Sequence, residues 1–355
     1  MKIGIITHHY VKNYGAYLQA RALMGVLENL DPNADISIVN YIEKKHWYKN
    51  IIHILHFRLG KDNVKSYYEK VKQLFMFSRY EHSLTHSKRV YNVSQIEQLG
   101  NDVIIIGSDE VWNIHSSGFN PLKFGYGFNA STKLATYAPS AGAVTEETNV
   151  PDKVKEGLEN IKYLSARDNE TKKFVKRAVG KEAQKVLDPT LLYDFDKEID
   201  EQGIESLPYK YILIYDCKLT KEQIQKLKSY AQEKELKIIG GGDCMEYYDD
   251  IKICLSPYEW VSLFRHAEMV ITGTFHGTVF SVKYRKKFVS YPTEKNRINK
   301  IKSLLSDMDL EGRLLEVGNE EGLISLLEKK VDYDKAYEQI DARKKESLEY
   351  LKRLV

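Results

Sequence analysis

A histidine followed by glycine and threonine, in Thr274-Phe275-His276-Gly277-Thr278, stands just after the apolar run Met269–Thr272 and ahead of a helical pattern. Backbone N–H groups at a helix start lack partners inside the helix and attract anions. Gly277 would let the backbone approach a phosphate, Thr278 would add a hydroxyl, and His276 titrates near neutral pH and can pass a proton. A capping turn with a satisfied histidine fits the same pattern. Arg167 closes another apolar run, Tyr163-Leu-Ser-Ala-Arg167-Asp168, where its planar fork would grip a carboxylate or phosphate. A surface arginine paired with a neighbouring acid is the plainer reading. A third run, Ile104-Ile-Ile-Gly107-Ser108-Asp109-Glu110-Val111-Trp112, delivers a carboxylate that could accept a proton from a sugar hydroxyl and an indole that could support a sugar ring. A helix cap beside a core tryptophan is the alternative. A fourth set follows the first strand: His8, His9, Asn13, Tyr14, Gly15 and, one turn further, Gln19. His8 and His9 are adjacent and would point to opposite faces of an extended chain, so no metal site is expected there.

These residues sit where parallel strands end. Apolar runs at Ile3–Thr7, Ile36–Asn40, Val103–Gly107, Leu134–Ala138, Tyr163–Ala166 and Lys185–Leu187 alternate with helical patterns such as Gly15–Leu30 and Pro151–Ile161. The series continues with Tyr211–Tyr215, Lys237–Ile239, Met269–Thr272 and Lys287–Ser290, between helical patterns at Lys221–Glu235 and Pro257–Arg265. The pattern predicts an α/β protein with parallel sheets buried on both faces. Periodicity weakens over Tyr193–Pro208, which divides the chain into a first domain over 1–200 and a second over 206–330. A charged helix over 331–355 follows and is expected to cross back to the first domain. Two Rossmann-like domains facing across a cleft would place ligands at the carboxyl ends of their strands.

The 355 residues, 43% hydrophobic and 29% charged, suffice for two cores, and a net charge of +3 argues against nucleic-acid binding. Charge is nevertheless uneven. Residues 44–91 carry eleven Lys/Arg against three acids, interleaved with Trp47, Tyr48, Phe57, Tyr67, Tyr68, Phe75 and Phe77. The segment reads as a helical insertion, either simply solvated or docking to an anionic membrane surface or a lipid-diphosphate-linked acceptor. Cys217, Cys244 and Cys254 show no paired spacing and are expected to be reduced thiols. The N-terminal residues form a strand pattern rather than a signal sequence, so the cytoplasm, including the inner face of the membrane, is the expected location. No GxGxxG follows the first strand, and no GxxxxGK[ST], HExxH or GxSxG occurs, against dinucleotide, P-loop, zinc-protease and hydrolase readings.

Taken in order, Asn13-Tyr14-Gly15-Ala-Tyr-Leu18-Gln19-Ala20, Gly107-Ser108-Asp109-Glu110-Val111-Trp112, Ser165-Ala-Arg167-Asp168, Leu187-Asp188-Pro189-Thr190 and Thr274-Phe275-His276-Gly277-Thr278-Val279-Phe280-Ser281 resemble the polysaccharide pyruvyl transferase family. The resemblance implies a fold like the B-type glycosyltransferases, phosphoenolpyruvate as donor, a sugar diol of a surface or capsular polysaccharide or its lipid-linked precursor as acceptor, and no metal or cofactor. It implies that Arg167 holds the donor's carboxylate or phosphate and that His276 lies at the reacting centre, with Asp109 as candidate base. Thr274, Gly277 and Thr278 would complete the donor site, and Asn13, Tyr14, Gln19, Ser108, Asp109 and Trp112 would meet the acceptor. Some branches of the family carry arginine where this chain has Thr274, so Arg297 or Lys295 is expected to supply a second cation. Two rival readings are a nucleotide-sugar glycosyltransferase and a sugar-binding protein without turnover.

Overall fold

Runs of isoleucine, valine and leucine without an intervening hairpin turn must pair in parallel, each strand reached by a crossover helix. The computed structural model, which describes residues 1–56, 64–142, 144–319 and 322–355, shows this arrangement twice. Phe57 and the side chain of Lys295 lie outside the described residues.

The first sheet comprises β1 (Lys2–Ile6), β2 (Asp35–Ile38), β3 (Val103–Asp109) and β4 (Leu134–Pro139), ordered β2-β1-β3-β4 and parallel throughout. A short parallel pair, β5 (Ser165–Ala166) and β6 (Gln184–Lys185), follows, tied to β4 by a bridge between Ala135 and Tyr163. The second sheet comprises β7 (Tyr211–Tyr215), β8 (Lys237–Gly241), β9 (Asp250–Lys252), β10 (Met269–Thr272) and β11 (Lys287–Ser290), ordered β11-β10-β7-β8-β9, again all parallel. Central strands are buried on both faces, which is why Val103–Ile106 and Met269–Thr272 read as unbroken apolar stretches. β9 is the strand the sequence pattern missed: Asp250-Ile-Lys252 is short, polar and at the sheet edge.

The chain divides into two compact units. The first contains Met1–His53, Ser78–Asp194 and Ala342–Val355; the second contains the 64–77 stretch and Phe195–Asp341. The division thus falls after Asp194, inside the weakly periodic stretch but ahead of residue 200. Among the described residues the basic insertion carries two helices, Lys44–Leu55 and Val64–Ser83, and it does not belong wholly to the first unit. In the second unit the amide of Gln73 donates to the Ile253 carbonyl at 2.9 Å, and this anchors residues 64–77 there. The C-terminal helix, Tyr333–Lys352, begins in the second unit, where the Tyr337 hydroxyl donates to the Lys283 carbonyl at 2.8 Å. Its last turns belong to the first unit, where Ser347 Oγ accepts from the Leu187 amide at 2.9 Å and the Tyr350 hydroxyl donates to the Thr136 carbonyl at 2.9 Å.

Helix starts carry the side chains that satisfy their first amides. Asn13 caps Tyr14–Leu30, Asp168 caps Asn169–Val179, Ser256 and Glu259 form a capping box before Pro257–His266, and Thr274 caps Phe275–Lys283. At the end of β3 the backbone turns sharply: Gly107 has φ +121° and Asp109 φ +79°. A Cβ at Gly107 would stand 2.1 Å from the Tyr137 carbonyl oxygen of the neighbouring strand. Gly107→Ala should therefore lower unfolding stability by about 3 kcal/mol, read as a shifted midpoint in chemical denaturation; an unchanged midpoint would show that the strand end is looser than its contacts indicate.

Candidate active site

In the first unit the ends of β1, β3 and β5 bring Arg167, Asp109, Ser108 and the His8–His9 loop into one unit. Arg167 is buried, 6% exposed, and its Nη1 donates to Asp188 Oδ2 at 3.0 Å. Asp188 is 2% exposed, and its other oxygen accepts from the amide and hydroxyl of Thr190 at 3.1 and 2.6 Å. Asp168, next to Arg167, accepts from Ser140 Oγ at 2.6 Å and from the amide and hydroxyl of Thr171 at 2.8 and 2.6 Å. The Arg167–Asp188 pair joins the Ser-Ala-Arg-Asp and Leu-Asp-Pro-Thr motifs, a link invisible in sequence because 21 positions separate them.

Asp109 is half-buried and lies 3.9 Å from His8 Nδ1, beyond hydrogen-bonding reach. His8 and His9 point apart: the His8 ring meets His46 at 5.1 Å, and the His9 ring meets His86 at 5.0 Å. Between them lies a buried polar cluster. Glu43 Oε2 accepts from the Tyr10 hydroxyl and from Lys123 Nζ, the latter at 2.5 Å, while Lys123 is 1% exposed and also donates to the Gly118 carbonyl at 3.2 Å. Burial pushes the Lys123 ammonium below its ordinary range. Burial likewise pushes all four facing imidazoles down, His8 well below its ordinary value and His9 to about 3, with His46 and His86 shifted the same way; neighbouring cations and histidines add to the effect. His8, Glu43 and His46 each offer one ligand atom within 4.8 Å of the others. A divalent ion there would share Glu43 with the Lys123 ammonium, and two cations on one buried carboxylate repel strongly.

Several expected acceptor residues face inward. Trp112 is fully buried, stacked on Phe124 at 5.6 Å, and its Nε1 donates to the Lys123 carbonyl at 2.7 Å. It is a core residue and not a sugar platform, because the continuous apolar cluster around β3 needs its area. Gln19, also fully buried, donates to Thr7 Oγ1 at 2.9 Å and to the Ala16 carbonyl at 2.8 Å, and so orders the β1 loop from within. Tyr14 and Ser108 are buried too. Asn13 is exposed but serves as the helix cap, accepting from the Ala16 amide at 3.2 Å.

In the second unit β10 ends at Thr272, and the helix Phe275–Lys283 starts three residues before Thr278. Thr274 Oγ1 accepts from the Gly277 amide at 3.0 Å. That amide is therefore taken by the cap, and Gly277 is needed for another reason: a Cβ there would stand 2.1 Å from Thr272 Oγ1. Thr278 is fully buried, and its hydroxyl donates to the Thr274 carbonyl at 2.9 Å and contacts Ser290 Oγ at 2.8 Å, so it holds the turn instead of reaching a ligand. His276 is half-buried on the first turn, edge-on to Phe275 at 5.4 Å. Arg297 is held by two carboxylates, Asp216 at 2.7 Å and Glu294 at 3.2 Å, so a donor anion would have to compete with both. Sequence spacing gave no sign of Asp216, which lies on the loop after β7.

The two parallel-sheet units define a protein of the B-type glycosyltransferase fold. Over most of its length the chain is similar in fold to a putative UDP-N-acetylglucosamine 2-epimerase from Listeria monocytogenes (TM-score 0.51, 9% identity, 100% of this chain and 91% of that one). It is similarly close to a UDP-GlcNAc 2-epimerase from Methanocaldococcus jannaschii (0.52, 14%, 94% and 93%) and to UGT89C1 from Arabidopsis thaliana (0.51, 11%, 100% and 98%). At these identities the likeness establishes the fold alone. No curated protein sequence matches the chain. The family model for polysaccharide pyruvyl transferase matches residues 13–294, and the chain belongs to that family. Among the described residues, no helix is long and apolar enough to cross a membrane.

The buried histidines fix the sign of a pH effect. Their folded-state pKa values lie below the unfolded value near 6.5, so the unfolded chain binds more protons as pH falls through that value. Stability should drop as pH falls below 6.5, with His9 alone contributing about 1.4 kcal/mol per pH unit down to about 3, its folded-state value, and the other three acting in the same direction. Thermal unfolding from pH 7.5 to 5 should show the decline, and His9→Gln should flatten it; equal slopes for both proteins would mean that His9 is already protonated in the fold.

Proposed function

We propose that the protein transfers the pyruvyl group of phosphoenolpyruvate to two hydroxyls of one polysaccharide sugar, forming a cyclic ketal and releasing phosphate. The observation that carries this reading is the match to the pyruvyl transferase family across residues 13–294, with His276 on the first turn of the helix that follows β10. His276 acts as the general acid that protonates the methylene carbon of the enol phosphate. C2 becomes electron-poor and is attacked by the first sugar hydroxyl, whose proton passes to a base; Asp109, half-buried at the end of β3, is the candidate. Phosphate then leaves with the C–O bonding pair. The second hydroxyl attacks the resulting oxocarbenium-like carbon, loses its proton to the departing phosphate and closes the ketal. Arg167, aimed by Asp188, holds the donor's carboxylate or phosphate, and a buried guanidinium binds such a group more strongly than one in water. The reaction is proposed to run without a metal ion, as the family resemblance implies.

The test is phosphate release from phosphoenolpyruvate with depyruvylated surface polysaccharide as acceptor. His276→Ala should lower kcat by ~10²–10⁴-fold, the usual worth of a proton transfer, while phosphoenolpyruvate still binds. Arg167→Lys, which keeps the charge but not the fork, should raise KM for the donor. EDTA should leave the rate unchanged. Release of a nucleoside diphosphate from a nucleotide sugar, with no phosphate from phosphoenolpyruvate, would overturn the reading in favour of glycosyl transfer.

A further inference from the structure

The basic, aromatic insertion builds a cavity that none of the roles above uses. It has a volume of about 890 Å³ and lies within the first unit, in the size range of pockets that take small organic ligands. Trp47 and Tyr48 form one wall, 39% and 61% exposed, and both rings belong to the helix Lys44–Leu55, which has no buried residue. Leu84 and Arg89 also line it, and Lys12, paired with Glu81, contributes a neutral ion pair. Two further cations, Lys44 and Arg89, also line the cavity, and among the described residues neither has a carboxylate partner. His86, another lining residue, is held neutral by burial and adds no charge at pH 7. The cavity therefore combines two solvent-facing aromatic rings with two uncompensated positive charges.

Aromatic faces left open to water suit the C–H faces of sugar rings, and an Arg beside a Lys suits a carboxylate or phosphate. The cavity also adjoins the end of β1. His86 Nε2 lies 3.3 Å from His9 Nδ1, and the helix that sends Trp47 into the cavity sends the preceding residue, His46, to within 3.3 Å of the Tyr10 hydroxyl. We infer that this cavity is the acceptor subsite and that it takes an acidic saccharide, with its rings on Trp47 and Tyr48 and its anionic group at Lys44 and Arg89. The inference rests on the pyruvyl transfer reading for the word acceptor, while saccharide binding itself does not depend on the donor.

The experiment is binding of the full-length protein, without phosphoenolpyruvate, to an array of matched oligosaccharides, each present as the neutral sugar, the uronate and the 1-phosphate. The wild-type protein should retain acidic members at least tenfold more tightly than their neutral counterparts, and raising the salt should weaken only the acidic ones. The double variant Lys44→Gln/Arg89→Gln should lose that preference, and Trp47→Ala should weaken all members about tenfold; these side chains are exposed or half-buried, and an unchanged unfolding midpoint checks the fold. Equal retention of neutral and acidic sugars, no retention at all, or a preference that survives the double variant would sink the proposal. Co-sedimentation with phosphatidylglycerol-containing vesicles that requires Lys44 and Arg89, with an empty array, would assign the patch to a lipid surface and overturn it as well. Because no donor is present, a failure of the phosphoenolpyruvate reading leaves the array result intact, and a failed array leaves phosphate release intact.

Discussion

A guanidinium and a carboxylate shut away from water, Arg167 and Asp188, with side chains 3% and 0% exposed, organise the first unit. Removing charges from water costs several kcal/mol per ion, and only the attraction between them, completed by hydrogen bonds to the remaining lone pairs, offsets that cost. The surroundings of Asp188 meet this condition. Thr190 takes one carboxylate oxygen and Arg167 the other. The preceding residue, Leu187, is clamped from both sides, its carbonyl by the Tyr137 hydroxyl at 2.9 Å and its amide by Ser347. Three remote parts of the chain thus converge to fix where one arginine points. A side chain fixed in this way loses little rotamer freedom on meeting an anion.

The same unit separates its two kinds of positive charge. Around His8 and His9 the imidazoles are packed among themselves and stay neutral, and Lys123 supplies the cation, matched to Glu43. Near the surface, Lys44 and Arg89 remain uncompensated, in water, where an unpaired charge costs little. Around the end of β1 the interior charge, Lys123 on Glu43, is balanced and structural, whereas charge at the cavity mouth is available to a ligand. A basic segment that looks uniform in sequence is in fact split between the two units.

Fold was largely legible in the sequence because parallel strands buried on both faces leave a strong signature. Ten runs from Ile3 to Ser290 correspond to strands, and the helices Lys221–Glu233 and Pro257–His266 end within two residues of their expected bounds. The edge strand β9 was missed because an edge needs no apolar run. For the candidate residues, position along the fold was legible and orientation was not. His276, Asp109 and Arg167 do stand at strand ends, yet a motif cannot tell whether a side chain faces solvent or core. Trp112 and Gln19 turned inward because the core above β3 and the β1 loop each needed filling. Gly277 and Thr278 proved to be parts of a cap, in which a glycine is required by Thr272 Oγ1 and not by a phosphate. Partners distant in sequence, such as Asp188 for Arg167 and Asp216 for Arg297, carry no local signal at all.

The helix Tyr333–Lys352 has a consequence for the order in which the protein is made. Residues 342–355 belong to the first unit, although some 150 residues of the second precede them. During synthesis, the sheet β2-β1-β3-β4 emerges from the ribosome early, but the amide of Leu187 waits for Ser347 until translation is almost complete. The sheet of the second unit, whose strands all lie between Tyr211 and Ser290, waits over a far shorter stretch of chain for that unit's last residue, Asp341. The half of the protein that is translated first should therefore be the half that matures last, and its nascent form is the stage at which chaperones would have most to hold.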